Sequence, residues 1–99
     1  MTIAFDFDRT ITAAPREMIA SMRLFREAGH TVLCATLRRE SEYEAVDRVL
    51  RGEFPVVYCD RQTKYDVCLQ RGFRVDVWVD DMPEFCRNTK LFDVKDGDL

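Results

Sequence analysis

Apolar runs alternate with helical patterns along the chain. Residues 2–7 form a short apolar run that predicts a first strand and leads into Asp6-Phe7-Asp8-Arg9-Thr10. In residues 15–28, Met18, Ile19, Met22 and Phe25 recur at helical spacing, Pro15 suits a first helical turn and Gly29 follows as a stop. Residues 31–36 predict a second strand. Residues 40–51 predict a second helix, with Ser41 near its start and Tyr43, Val46, Val49 and Leu50 as the buried face, and Gly52 as its stop. Residues 55–59 predict a third strand, and residues 62–71 a third helix ended by Gly72. Residues 75–79 are nearly all apolar and predict a strand covered on both faces. Residues 83–88 suit a helical turn, residues 91–94 a short fifth strand, and residues 95–99 a polar tail.

Strand–helix alternation of this kind predicts an α/β fold: a three-layer, Rossmann-like parallel sheet of about five short strands with helices on both faces. The 99 residues suffice for one domain. Ligands in such sheets bind beyond the carboxyl ends of the strands, where strand order switches.

Composition narrows the class without naming a chemistry. Apolar residues make up 46% and charged residues 33%, as in ordinary globular domains. The net charge of −3 gives no bulk signature of a nucleic-acid binder. No long apolar run or basic leader is present, so the expectation is a cytoplasmic protein without a membrane span. Four cysteines lie in apolar runs or helical patterns without metal-ligand spacing, which predicts buried reduced thiols.

Polar groups of complementary kinds gather where the predicted strands end. Strand one ends at Asp6 and Asp8, which a strand's two-residue repeat places on one side. Strand two ends at Thr36, followed by Arg38 and Arg39. Strand three ends near Asp60, with Lys64 entering the next helix, and strand four ends at Asp80 and Asp81. Clustered carboxylates repel unless a cation lies among them, and Mg²⁺ prefers such oxygen ligands. Lysine, arginine and a hydroxyl suit phosphoryl oxygens, and an aspartate can carry a phosphoryl group as an acyl phosphate. Taken singly, each residue has a plainer reading: Asp8 and Asp60 as loop or cap residues, Thr36 as a β-branched strand residue, Lys64 as a solvated helix lysine. The joint order carries the inference.

In that order the chain resembles the haloacid dehalogenase superfamily of phosphohydrolases, over roughly residues 2–94. Asp6-Phe7-Asp8-Arg9-Thr10 is similar to its first motif, Thr36 to its second, Lys64 to its third and Asp80-Asp81 to its fourth. The resemblance implies a Mg²⁺-dependent phosphatase that hydrolyses a phosphomonoester through an aspartyl-phosphate. Asp6 is then nucleophile and metal ligand, and Asp8 general acid/base with its backbone carbonyl toward the metal. Thr36, Lys64, Arg9 and Arg38 bind substrate, and Asp80 and Asp81 complete the metal site. Arg9 stands where the family usually has glycine, so it either strains the turn or reaches the substrate. Residues 11–14 and 60–62 leave no room for a cap domain. An open site suits a phosphorylated small molecule or the phosphorylated end of a macromolecule, with an oligomer partner as a substitute lid.

Three other readings fit parts of the pattern. A phospho-acceptor receiver domain has a similar sheet, but its acidic pair follows strand one and its lysine comes last. A catalytically weak or inactive binding protein on the same fold accounts for Arg9. A nucleic-acid or nucleotide end phosphatase accounts for Arg9, Arg38, Arg39 and Arg61 at one edge.

Overall fold

Successive side chains of a strand point to opposite faces, and here both faces are apolar. Ile3, Phe5, Val32 and Cys34 belong to one buried cluster. Ala4, Leu33 and Ala35 belong to another. In the computed structural model, which describes residues 1–86, these residues lie on β1 (Thr2–Phe5) and β2 (Thr31–Thr36). β3 (Val56–Tyr58) and β4 (Val77–Val79) complete a four-stranded parallel sheet in the order β3-β2-β1-β4.

Three helices connect the strands: α1 (Pro15–Glu27), α2 (Glu44–Leu50) and α3 (Lys64–Gln70). Met22 of α1 and Val46 and Leu50 of α2 join the Ile3 cluster. Val67 and Cys68 of α3 join the Ala4 cluster. The order explains this division. The chain steps from β1 outward to β3, then returns past β1 to β4, and a reversed crossover of the same hand puts its helix on the other face. The strand order therefore switches between β1 and β4. Among the described residues no helix is long and apolar enough to cross a membrane, and all four cysteines are buried free thiols.

Three expectations need correction. The second helix is broken: Glu40–Glu42 form one tight turn, and α2 begins only at Glu44. Tyr43 falls at the junction and is 47% exposed instead of buried. Here the Glu42 carboxylate turns back to accept the Arg39 backbone N–H at 2.9 Å and ends the first turn locally. The fourth strand is shorter than expected and less covered, with Val77 38% exposed, because β4 pairs only with β1 among the described residues. The first strand ends at Phe5, so Asp6 and Asp8 do not share a strand face. Of the turn expected at 83–88, Pro83–Phe85 is seen. Its end, and the fifth strand at 91–94, lie outside the described residues.

The edge away from the switch point is held by ions. Arg23 donates to both carboxylate oxygens of Glu53 at 2.6 Å, and Arg26 adds a third bond at 3.1 Å. These contacts, Arg23 first, draw the Glu53 carboxyl from 4.5 down to about 2. A lowered folded value means that the contribution is present above pH 4.5 and is lost as pH falls toward 2. Melting of wild type and Glu53→Gln should therefore differ at pH 6 and converge near pH 2. A constant difference across that range would contradict the assignment.

Candidate functional site

Each strand next to the switch point delivers one acid. Phe5 of β1 is in register with Val79 of β4, and the Asp6 N–H extends the ladder to the Val79 carbonyl at 2.9 Å. Asp6 and Asp80 are thus the first residues beyond the same rung. The Lys64 Nζ bridges them, 2.7 Å from Asp6 Oδ1 and 2.5 Å from Asp80 Oδ2. Lys64 starts α3 and is 1% exposed, yet it bonds residues 58 and 16 positions away in sequence.

The remaining oxygens are also held. Thr10 Oγ1 donates to Asp6 Oδ2 at 3.1 Å. Asp80 Oδ1 accepts the Met82 N–H at 2.8 Å, and Asp80 Oδ2 accepts the Cys86 thiol at 3.2 Å. Carboxylate oxygens of Asp6, Asp80 and Asp81 lie within 4.8 Å of one another and could hold a metal ion. Three carboxylates against one ammonium leave a formal charge of −2, which one divalent cation balances. An all-oxygen donor set suits a hard ion.

Burial pushes the Asp6 carboxyl above the usual carboxylate range, and the bond from Lys64 opposes that rise. Burial also acts to lower the Lys64 value, but its bonds to Asp6 and Asp80 outweigh it and the ammonium is held on. The Cys86 thiol is pushed up to about 12, by burial first and then by Asp80, so it stays a donor.

Asp8 goes elsewhere. Its carboxylate receives a two-pronged bond from Arg38, Nε to Oδ2 at 2.9 Å and Nη2 to Oδ1 at 2.8 Å. The Arg38 bond is the main cause that holds Asp8 below the usual carboxylate range. The Arg38 guanidinium also lies 5.3 Å from the centre of the Phe7 ring. The Asp8 carboxylate is accordingly not part of the Asp6–Asp80–Asp81 group.

The backbone explains the parting. Asp8 is extended (φ −69°, ψ 127°) and Arg9 is left-handed (φ 64°, ψ 3°). Bonds from Ile11 N–H to the Asp6 carbonyl and from Thr12 N–H to the Phe7 carbonyl close the loop around them. The Arg9 N–H is taken by Thr12 Oγ1 at 2.8 Å. A side chain at such a φ costs about 1–2 kcal/mol, and glycine avoids it. Glycine also loosens the unfolded chain by roughly 0.5–1 kcal/mol. Arg9→Gly should thus stabilise by about 0.5–1 kcal/mol, a rise of a few degrees in a thermal melt. A lower melting temperature would show that the turn is not strained.

No protein-family model, curated protein or solved structure matches this chain. The chemistry rests on the groups themselves. Asp6, Asp8, Arg9, Lys64, Asp80 and Asp81 line one concavity of about 250 Å³, with Leu37, Met82 and Phe85 as its apolar wall. That is near the small end for ligand sites.

The other expected residues stand apart. Thr36 ends β2 fully buried, and its hydroxyl accepts the Arg38 N–H at 3.2 Å. It is not in the lining of that concavity. Arg38 lines a neighbouring hollow with Asp8, Arg61 and Phe85. Arg39 pairs with Asp60 at 2.9 Å and Arg61 with Glu42 at 3.5 Å. Two contributors carried no assigned role in the sequence reading. Thr10 had a signal, its place four residues after Asp6. Cys86 had none, since its thiol reaches Asp80 only through the turn at Pro83–Phe85.

Proposed function

We propose that this chain is a Mg²⁺-dependent phosphatase that hydrolyses small phosphomonoesters through an aspartyl-phosphate on Asp6. The observation that carries the reading is Lys64, a fully buried ammonium that holds two acids from adjacent strand ends beside a third. A lysine is rarely buried unless paired, and this one pairs with two carboxylates whose oxygens, with one of Asp81, lie within 4.8 Å of one another, an arrangement that packing alone does not require. The chain's likeness to the haloacid dehalogenase motifs points the same way. The fold reading that goes with it is a cap-less, three-layer Rossmann-like core with a fifth strand, in a cytoplasmic protein whose oligomer partner can serve as lid.

In this reading an Asp6 oxygen attacks phosphorus, and the bond to the leaving oxygen breaks. Lys64 keeps Asp6 ionised for that attack and stays as a positive charge beside the phosphoryl oxygens. A Mg²⁺ ion held by Asp6, Asp80 and Asp81 would supply further charge neutralisation there. Asp8 delivers a proton to the leaving oxygen, then removes one from the water that cleaves the acyl phosphate. Phosphate departs and Asp6 is regenerated. Ionised on Arg38, Asp8 is ready for the second step. The first requires it to leave Arg38 and take up a proton, so good leaving groups such as aryl phosphates, which need little proton assistance, should react fastest.

The pairing of Arg38, Arg39 and Arg61 with carboxylates weakens the case for gripping a nucleic-acid end. The placement of the acidic pair after β4, with Lys64 before it, disfavours a receiver. The test is a phosphatase screen with Mg²⁺ over nucleotides, sugar phosphates, phosphoamino acids and oligonucleotide ends, repeated with EDTA. Turnover that EDTA abolishes and Mg²⁺ restores is the expected result. Turnover that ignores EDTA would remove the metal from the reading, and no turnover together with no Mg²⁺ binding by calorimetry would favour a non-catalytic protein.

A further inference from the structure

We infer that Arg9 selects substrates carrying a second anionic group, a phosphate or carboxylate beyond the phosphoryl group that reacts. The inference rests on the phosphatase reading and adds a substrate class to it.

Three observations converge on this residue. Its backbone is left-handed (φ 64°), a conformation that disfavours any side chain and that it shares with Arg51, Asp60 and Arg61, but of these four residues it alone lines the concavity with Asp6 and Lys64. Sparse backbone conformations of this kind cluster at functional sites. Among the described residues its guanidinium makes no hydrogen bond or ion pair, whereas Arg38, Arg39 and Arg61 at the same edge are each paired with a carboxylate. It also lines the concavity that holds Asp6, Lys64 and Asp80.

Depth separates its role from that of Lys64. Lys64 is 1% exposed and Asp6 is 7% exposed, so the reacting phosphoryl group is met at the floor. Arg9 is exposed and, with the exposed Asp8 and Asp81, marks the mouth of that concavity, where it is the cationic group. A ligand bound at the floor directs its remaining atoms toward that mouth. Guanidinium presents a planar fork that matches phosphate or carboxylate oxygens in pairs. A neutral leaving group gives it nothing to bind.

The test compares 1,3-propanediol bisphosphate with the corresponding monophosphate, on wild type, Arg9→Gly and Arg9→Lys. Wild type should prefer the bisphosphate in kcat/KM, and Arg9→Gly should lose about tenfold to a hundredfold of that preference. Arg9→Lys, which keeps the charge without the fork, should recover part of it. Because glycine relieves the turn, a folding defect does not confound the comparison. Calorimetric binding of both ligands is measured in an Asp6→Asn background, with and without Arg9→Gly. Turnover of both compounds with a preference indifferent to Arg9 would overturn the inference and leave the phosphatase reading standing. An Arg9-dependent binding preference without any turnover in the parent chain would do the reverse.

Discussion

Asp6→Asn should abolish hydrolysis, by at least about a thousandfold, in a protein that still folds. The amide lacks the anionic oxygen that attacks phosphorus, and nucleophile removal in enzymes of this logic is severe. The fold should survive because the substitution keeps shape and an acceptor oxygen, and because Lys64 retains Asp80 at 2.5 Å. Removing one of two facing carboxylates also relieves their repulsion. Two measurements separate chemistry from damage: a thermal melt, expected within a few degrees of wild type, and acid quenching during turnover. Quenching should trap an acyl phosphate at residue 6 in wild type and none in the variant. A variant that keeps wild-type turnover would sink the aspartyl-phosphate mechanism.

Lys64→Met should have the largest effect on stability. The methionine fills similar space but leaves Asp6 and Asp80 facing each other without their shared cation. Breaking a buried pair from one side costs about 3–5 kcal/mol, much of the roughly 5–15 kcal/mol that holds a domain of this kind. Added Mg²⁺ should return part of the loss, since a divalent ion can replace the missing charge. Neutralising the acids as well, in Lys64→Met with Asp6→Asn and Asp80→Asn, should recover more, because no buried charge is then left alone. If Lys64→Met melts with wild type, the bridge is not what stabilises this edge.

The order of β1 to β4 and the carboxylates that follow β1 and β4 are legible in the sequence because both follow short-range rules. β2 has the predicted bounds, Thr31–Thr36, since a run of apolar and β-branched residues between a glycine turn and an arginine pair leaves little choice. Asp6, Asp80 and Asp81 at predicted strand ends, and Lys64 at the predicted entry to a helix, lie together. What escaped depends on side chains reaching across the fold. The pairing of Asp8 with Arg38 joins residues 30 apart and follows from the left-handed turn at Arg9. The break before α2 comes from one glutamate bonding its own turn. The thiol of Cys86 meets Asp80 through the path of a short loop. Periodicity carries no information on contacts of these kinds.

The Phe5–Val79 register has a consequence for how the sheet closes. Neighbouring strands lie only about 4.8 Å apart, so the two acids act as a wedge at the end of the β1–β4 zipper. Lys64 is the clip that holds it shut, and it arrives on α3, a helix that packs on one face of the sheet. The final rung should therefore stay loose until α3 has docked. Amide exchange at Asp6 should be slow in wild type and fast in Lys64→Met, while exchange at Val32 and Leu33, between β1 and β3, changes far less.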